Sequence, residues 1–436
     1  MSRGGWKNAY QLPGTSAPGS TDFDTSLKPA KPAGMDRVVG GLTARRAALI
    51  TAFVCLTPIV SHSIGRSVYG LLLKEIKTDL GLTNARAGWP SSGIFILYVV
   101  GVLVIVVVSP RIEPVTIMRT ALGISVGGLL ITATAQNFAM LTIGVALVGG
   151  AGAGIWMTAP VLATEYVSER RRGLVIGALT STMGLANILF GLGTTAWRRV
   201  ADDDQLWRPV WWVAFAFTTC LLVALVAVAR FSPTDRISAR GIDFSIIRRI
   251  PRWREVTVAY ALFGGMSAGF GTFIVVALRE HGGVSKSGAT LVFSAMGVAG
   301  MLASPLGGAL SDRVGRLTVL RFDLLLLLVA NVAVAVGGPV ATVAGAILYA
   351  AGASTFPALI AAYVRDSLDS RSFSQALAIM TIAFSVMAAI MTALVGVLGD
   401  VSFAWSFGLL AVLPAVGFLV LALTQPKPYR AATQSL

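Results

Sequence analysis

Twelve long apolar stretches follow one another along this chain, and they constrain its fold more than any other feature. A hydrocarbon layer about 30 Å thick needs roughly 20 helical residues to cross, and backbone groups in lipid must be paired within a helix. With 55% hydrophobic and 13% charged residues, the 436-residue chain cannot cover a soluble surface. The sequence therefore predicts an all-α membrane protein with twelve transmembrane helices. The stretches lie near residues 47–73, 87–109, 116–135, 138–164, 173–196, 210–230, 255–278, 287–310, 317–336, 340–363, 375–398 and 404–424.

Basic residues outside these stretches are divided unevenly between the two sides of the predicted membrane. The side that holds both termini has 26 Lys and Arg residues, the other side has 8, and Arg66 lies inside span 1. Because cytoplasmic loops carry the excess of basic residues, we expect a cell (inner or plasma) membrane protein with both termini in the cytoplasm. The same distribution explains the net charge of +15 without a nucleic-acid partner.

Composition divides the chain into two membrane bundles and three polar segments. We expect a disordered cytoplasmic tail at 1–43, a six-helix bundle at 44–230, a basic cytoplasmic linker at 231–254, a second six-helix bundle at 255–424 and a cytoplasmic tail at 425–436.

The two predicted bundles share a local sequence pattern. Four residues at the end of span 4 recur at the same spacing at the end of span 10, which indicates two pseudo-symmetric halves. Halves related in this way place a binding site between them, near the middle of the membrane. The matching residues are Pro160, Leu162, Tyr166 and Val167 in the first half and Pro357, Leu359, Tyr363 and Val364 in the second.

The loop after span 8 reads Gly308-Ala309-Leu310-Ser311-Asp312-Arg313-Val314-Gly315-Arg316 and resembles a loop motif of the major facilitator superfamily. This resemblance implies that family's fold of two six-helix bundles, transport by alternating access, and action as a monomer. It also implies a cytoplasmic gate, with Asp366, Asp369 and Arg371 as candidate partners. The gate residues would be Gly308, Asp312, Arg313, Gly315 and Arg316. The loop after span 2 departs from the motif.

Span 1 carries a polar stripe. At 100° per residue its small and polar residues fall within about 40° of one direction, which is typical of a helix that faces a water-filled cavity. We expect Arg66 to bind an anion, with His62 one turn away sharing the anion or carrying a proton. Alternatively, Arg66 extends to the membrane interface and His62 only forms hydrogen bonds within the bundle. The stripe consists of Thr51, Cys55, Pro58, His62, Arg66 and Tyr69.

Other spans offer fewer candidates. We predict that Tyr69, Asn187 in span 5 and Trp156 in span 4 contact the substrate, although a hydrogen bond between helices and plain packing are the alternatives for Asn187 and Trp156. Asp323, near the start of span 9, is interpreted as structural.

No constellation of residues indicates an enzyme, a metal site, a cofactor or an ATP-binding motif. We therefore expect a secondary active transporter for a small organic anion such as a carboxylate, coupled to protons or to exchange. The interval from Arg66 to Asp79-Leu80-Gly81-Leu82-Thr83 also resembles the organic anion symporter branch of the superfamily. The alternatives are an efflux transporter for apolar or drug-like compounds and a non-transporting membrane sensor on the same fold.

Overall fold

The computed structural model of the protein describes residues 44–200, 207–228 and 244–423. Within these ranges it has twelve helices long and apolar enough to cross a membrane, which confirms the predicted fold class. We number them spans 1 to 12. The predicted tails, and residues 231–243 of the predicted linker, lie outside the described residues. Span 1 covers residues 44–80, and the others are Asn84–Val108, Pro114–Ala133, Phe138–Thr164, Glu169–Val200, Trp207–Val228, Trp253–Glu280, Lys286–Val314, Arg316–Val336, Pro339–Ser367, Ser370–Val401 and Phe403–Leu423.

Span 1 is not a uniform α-helix. It consists of an α-helix at Ala44–Pro58, a π-helix at Ile59–Ser67 and a second α-helix at Val68–Leu80. A π turn holds an extra residue, so side chains beyond it are rotated relative to those of a straight α-helix. The span also continues past the predicted end near residue 73 and stops at Gly81, whose left-handed conformation (φ 61°, ψ 39°) ends the helix.

The twelve spans form two halves, spans 1–6 and spans 7–12. The halves meet where span 1 packs against span 7, span 2 against span 11 and span 5 against span 8. At Gly70 of span 1 the approach is so close that a methyl group would overlap the Gly271 carbonyl oxygen of span 7. With an even number of spans, residues 44 and 423 lie at one end, here called the terminal face. The other end, which includes residues 81–83 and 281–285, is the opposite face.

Spans 5 and 8 run antiparallel and pack only over part of their length. Near the opposite face, the Thr195 and Thr290 hydroxyl oxygens are 2.6 Å apart. Near the middle, a methyl group on Gly184 would lie 3.4 Å from Cβ of Met301. Seven residues further toward the terminal face, the same register would pair Gly177 with Gly308, but a methyl group at either position would meet no atom within 4 Å. Spans 5 and 8 therefore touch near the opposite face and separate toward the terminal face, whereas Ala378 and Ile382 of span 11 still pack against the first-half cluster that includes Tyr98 and Val102.

A short 3₁₀ helix, Phe244–Arg249, precedes span 7 at the terminal face. Ile246, Ile247 and Ile250 are buried in the main hydrophobic core, while Arg248 and Arg249 remain exposed. This segment contacts spans 7 and 11, so its apolar side is used for packing inside the protein.

Candidate functional site

The π-helical segment of span 1 places Arg66 between the two halves. The guanidinium carbon Cζ lies 4.6 Å from the centre of the Tyr98 ring and 5.1 Å from that of Phe95, both in span 2. Tyr260 of span 7 is close enough to interact with Arg66 electrostatically. Arg66 is also 14 residues before the end of span 1, about 21 Å at 1.5 Å per residue. The residue thus lies deep in the bundle, among groups from both halves.

Arg66 has no acidic partner within the described part of the chain. Its Nε is buried and forms no hydrogen bond, and no carboxylate of the described residues pairs with its guanidinium. The faces of Phe95 and Tyr98 attract the cation, but aromatic rings contribute only part of what a carboxylate or water would. Arg66 is therefore a buried cation whose Nε–H group has no hydrogen-bond acceptor among the described residues.

His62 lies one turn before Arg66 and contacts span 4. Its ring centre is 4.5 Å from that of Trp156, with the ring planes tilted by 54°. The Ser61 hydroxyl lies 2.9 Å from Nδ1 of His62. Among the described residues no protein partner is found for Nε2. The structure thus brings two of the predicted site residues, His62 and Trp156, into direct contact.

The remaining predicted substrate contacts lie in different surroundings. Tyr69 is fully buried, and its hydroxyl donates a hydrogen bond of 2.7 Å to the Ala87 carbonyl of span 2. It follows the π-helical segment, which rotates it away from a straight continuation of the predicted stripe. Asn187 of span 5 is half-buried, and its Oδ1 is buried without a hydrogen-bond partner.

Aromatic rings from three spans pack together on the side of Arg66 that faces the second half. Phe384 of span 11 lies 6.3 Å from Phe95 of span 2 and 5.1 Å from Tyr260 of span 7, measured between ring centres. Phe263 of span 7 is 6.1 Å from Phe384. These residues were not predicted as site residues, because single aromatic residues scattered over separate spans are indistinguishable from core residues in the sequence.

The predicted gate motif forms a cluster at the terminal face. Nη1 of Arg316 lies 2.6 Å from Asp312 Oδ1, and Nε of Arg316 lies 3.4 Å from Asp366 Oδ2 at the end of span 10. Gly315 has φ 92° and ψ 145°, a conformation that favours glycine, and it makes the turn between spans 8 and 9. Arg313 is exposed. The ion pairs of this terminal-face cluster (Asp312, Arg316 and Asp366) all lie within the second half.

A second group of charges, missed in the sequence, joins the halves near the opposite face. Glu75 Oε1 accepts hydrogen bonds from Arg198 Nη2 of span 5 at 2.6 Å and from Arg279 Nη1 of span 7 at 2.5 Å. Glu280 of span 7 pairs with Lys74 and, at 3.6 Å, with Lys77. We call these six residues the opposite-face cluster. The spacing of Leu72, Ile76 and Leu80 by four residues was the available signal that span 1 continues through these charges.

Span 11 adds a further contact across the halves at the same face. Asp400 accepts hydrogen bonds from the backbone N–H groups of Asn84, at 2.6 Å, and Ala85, at 3.1 Å. These are the first residues of span 2, so the carboxylate caps a helix N-terminus that belongs to the other half. Within the described residues, no group of three His, Cys, Asp or Glu side chains could hold a metal ion.

Two solved transporter structures share this fold. One is a bacterial homologue of the human lysosomal transporter Spinster in an inward-facing and occupied conformation, with 15% identity, a TM-score of 0.69, and coverage of 86% of this chain and 95% of that one. The other is the nucleoside transporter NupG, with 12% identity, a TM-score of 0.66, and coverage of 86% and 97%. At these identities the likeness concerns the fold alone.

The sequence relatives include an uncharacterized transporter and a multidrug resistance protein. The uncharacterized transporter YgaY of Escherichia coli O157:H7 is 32% identical over 158 residues, which is 36% of this chain and 38% of that protein. The multidrug resistance protein MdtG of Escherichia fergusonii is 29% identical over 225 residues, 49% of this chain and 54% of that protein. This chain thus matches between about a third and a half of the length of these relatives.

The family model of the Major Facilitator Superfamily matches residues 59–276 and 256–435, which together include almost all of both halves. This match agrees with the twelve spans and with the solved structures of the same fold. The chain belongs to the major facilitator superfamily of transporters.

Proposed function

We propose that this transporter moves a small organic anion, such as a carboxylate, and that Arg66 binds its negative charge. The observation that carries the proposal is the position of Arg66 between the halves with no carboxylate partner in the described part of the chain. A charged side chain at this depth costs at least about 2.5–3.5 kcal/mol. An anion bound by the planar guanidinium offsets that cost with two parallel charge-assisted hydrogen bonds.

The neighbours of Arg66 support a site for an anion with an organic body. His62 lies one turn away against Trp156, and Phe95 and Tyr98 flank the guanidinium. Such a site combines one strong polar anchor with apolar walls, which is the usual composition of a small-molecule pocket. Asn187, with its unpaired Oδ1, is proposed as a further polar contact.

Alternating access is the proposed mechanism. The opposite-face cluster ties the halves together at one end, while spans 5 and 8 separate toward the other. The excess of basic residues at the terminal face supports a cytoplasmic location for it. In this assignment the gap between spans 5 and 8 faces the cytoplasm, and the halves rock around the bound anion to open the opposite face. Coupling to protons or to exchange is proposed because the sequence has no ATP-binding motif.

The test measures flux of radiolabelled benzoate, gluconate and succinate into proteoliposomes that contain the purified protein. We expect saturable flux of at least one probe, and a KM that Arg66→Gln raises at least about 10-fold, because a hydrogen bond to a charged group contributes about 1.5–3 kcal/mol. Arg111→Gln is the matched control, since it removes the same charge from an exposed position at the terminal face. Flux no faster than in protein-free vesicles, or a wild-type KM in Arg66→Gln, would contradict the proposal.

Efflux of apolar compounds is the second candidate. It is favoured by the aromatic rings of Phe95, Tyr260, Phe263 and Phe384 near Arg66 and by the likeness to a multidrug resistance protein. In this case the same vesicles would transport the neutral dye Nile red, and Arg66→Gln would leave that transport unchanged.

A further inference from the structure

Two acidic side chains are buried among the described residues, and their surroundings differ. Glu75 and Asp323 are 3% and 4% exposed. Glu75 lies between Arg198 and Arg279, which neutralise an ionised carboxylate. Asp323, in span 9, lies beside Thr355 of span 10 and has no cationic partner within the described part of the chain.

The basic residues nearest to Asp323 along the chain are used elsewhere. Arg321 donates to the Leu421 carbonyl at 2.6 Å through Nη2, and Arg316 belongs to the terminal-face cluster. Spans 8, 10 and 12 pack against span 9. Span 12 has no acidic or basic residue, and those of spans 8 and 10 lie at the helix ends. An ionised Asp323 would therefore be a buried charge without a counter-ion, an arrangement that proteins avoid.

The hydrogen bonds around Thr355 also indicate a neutral carboxyl group. Its hydroxyl oxygen Oγ1 lies 2.6 Å from Asp323 Oδ2 and 2.9 Å from the Gly352 carbonyl oxygen. A threonine hydroxyl has one proton to donate. Beside a carboxylate, that one proton would have to serve both oxygen atoms. If Asp323 is protonated, Oδ2–H donates to Thr355 and Thr355 donates to Gly352, so that both short contacts become hydrogen bonds.

We propose that Asp323 is a proton-binding site of this transporter, loaded in the conformation seen here and filled from the terminal face. A proton from water binds Oδ2 and neutralises the carboxylate, and its release restores the charge. The carboxylate must then find water or a cation, so release requires spans 8, 9 and 10 to rearrange around it. The interpretation of Asp323 as purely structural is replaced by this proposal.

A surface cavity of about 320 Å³ lies at the terminal face, lined by residues that include Arg316, Thr318, Tyr363 and Asp366, and we take it as the entry point for the proton. Asp323 follows Arg316 by seven residues in span 9, and Thr355 precedes Tyr363 by eight in span 10. At 1.5 Å per residue these separations are about 10–12 Å along the helix axes. Asp323 belongs to the second half and Arg66 to the first, so protonation of Asp323 can be tested whether or not the proposed substrate is an anion.

Infrared spectroscopy of the full-length protein in lipid bilayers at neutral pH tests the proposal. We expect wild-type protein to show a C=O stretching band of a protonated carboxylic acid, which shifts when H₂O is replaced by D₂O. Asp323→Asn should abolish this band. The matched control is Asp312→Asn, which removes an acid whose side chain is 64% exposed and should leave the band unchanged. A spectrum of Asp323→Asn identical to that of wild type, or a band that never shifts in D₂O, would overturn the proposal.

A second variant keeps the test decisive if Asp323→Asn fails to fold. Thr355→Val removes the group that accepts the Asp323 proton and retains the acid. The band should persist but move to higher frequency, because the carboxyl group loses its hydrogen bond. An unchanged band in folded Thr355→Val would show that the protonated group is not Asp323.

Discussion

Glu75 is the more buried of the two acids in the opposite-face cluster. It is 3% exposed and contacts Arg198 of the first half and Arg279 of the second. Removing one partner of a buried ion pair leaves uncompensated charge and costs about 3–5 kcal/mol. We therefore predict that Glu75→Gln lowers the thermal unfolding midpoint of the purified protein, because two buried guanidinium groups lose their shared carboxylate.

Glu280 provides the control for this prediction. It also joins the halves, through Lys74 and Lys77, but its side chain is 28% exposed. Ion pairs near the surface contribute about 0–1 kcal/mol, so Glu280→Gln should change the midpoint much less. Equal effects of the two substitutions would show that burial of Glu75 is not what makes its contacts important.

At the same scale, the sequence identifies candidate site residues but not their surroundings. A lone arginine and histidine in an apolar span were visible as candidates because charge is rare there. The rings around Arg66 were not, since Phe95, Tyr98 and Tyr260 come from two other spans and each is an ordinary aromatic residue in its own sequence context. Which residues surround a charge is decided by packing between distant parts of the chain.

At the scale of whole helices, spans 5 and 8 form an interface that is closed over only part of its length. The contact at Thr195 and Thr290 is made, whereas Gly177 and Gly308, in the same register, face open space. We infer that these two glycines meet when the terminal face closes. Gly308→Leu should then slow transport of the probe found in the proteoliposome assay at least about 10-fold without lowering the unfolding midpoint, because the added side chain obstructs closure only.

Gly193→Leu is the matched control for that prediction. Gly193 also belongs to span 5, and a methyl group there would meet no atom within 4 Å, but it lies on a different side of the helix from Gly177, Gly184 and Gly191. Transport should be close to that of wild type. If Gly308→Leu transports at the wild-type rate, the two spans do not close in this register.

Helices themselves were well predicted, because an apolar run long enough to cross a membrane has few other structures available. The exceptions are informative. Span 1 continues to Leu80 because the charged residues of its last turns pair with residues of spans 5 and 7. In the sequence alone, those charged residues of span 1 are typical of a loop. The π-helix at Ile59–Ser67 left no signal in the hydrophobic pattern, and it moves Tyr69 against span 2.

For the molecule as a whole, the polar contacts that join the two halves are concentrated near the opposite face. Contacts across the halves near the opposite face are polar and close, as at Ser91 and Thr272, whose hydroxyl oxygens are 2.7 Å apart. The terminal-face cluster makes its ion pairs inside the second half only. In the proposed alternating-access cycle, the strength of the opposite-face contacts sets how often the other state forms.

Cysteine labelling in membrane vesicles tests both the orientation and this balance. In a background with Cys55 and Cys220 replaced by alanine, Gly177→Cys should react with a membrane-impermeant maleimide only from the cytoplasmic side, because the gap between spans 5 and 8 opens at the terminal face. Ser91→Cys should be protected from the external side.

Adding Glu75→Gln to Ser91→Cys should increase external labelling, since it weakens the contacts that hold the opposite face closed, whereas adding Glu280→Gln should increase it less. Labelling of Gly177→Cys from outside would reverse the proposed orientation, and no response of Ser91→Cys to Glu75→Gln would show that the opposite-face cluster does not control closure.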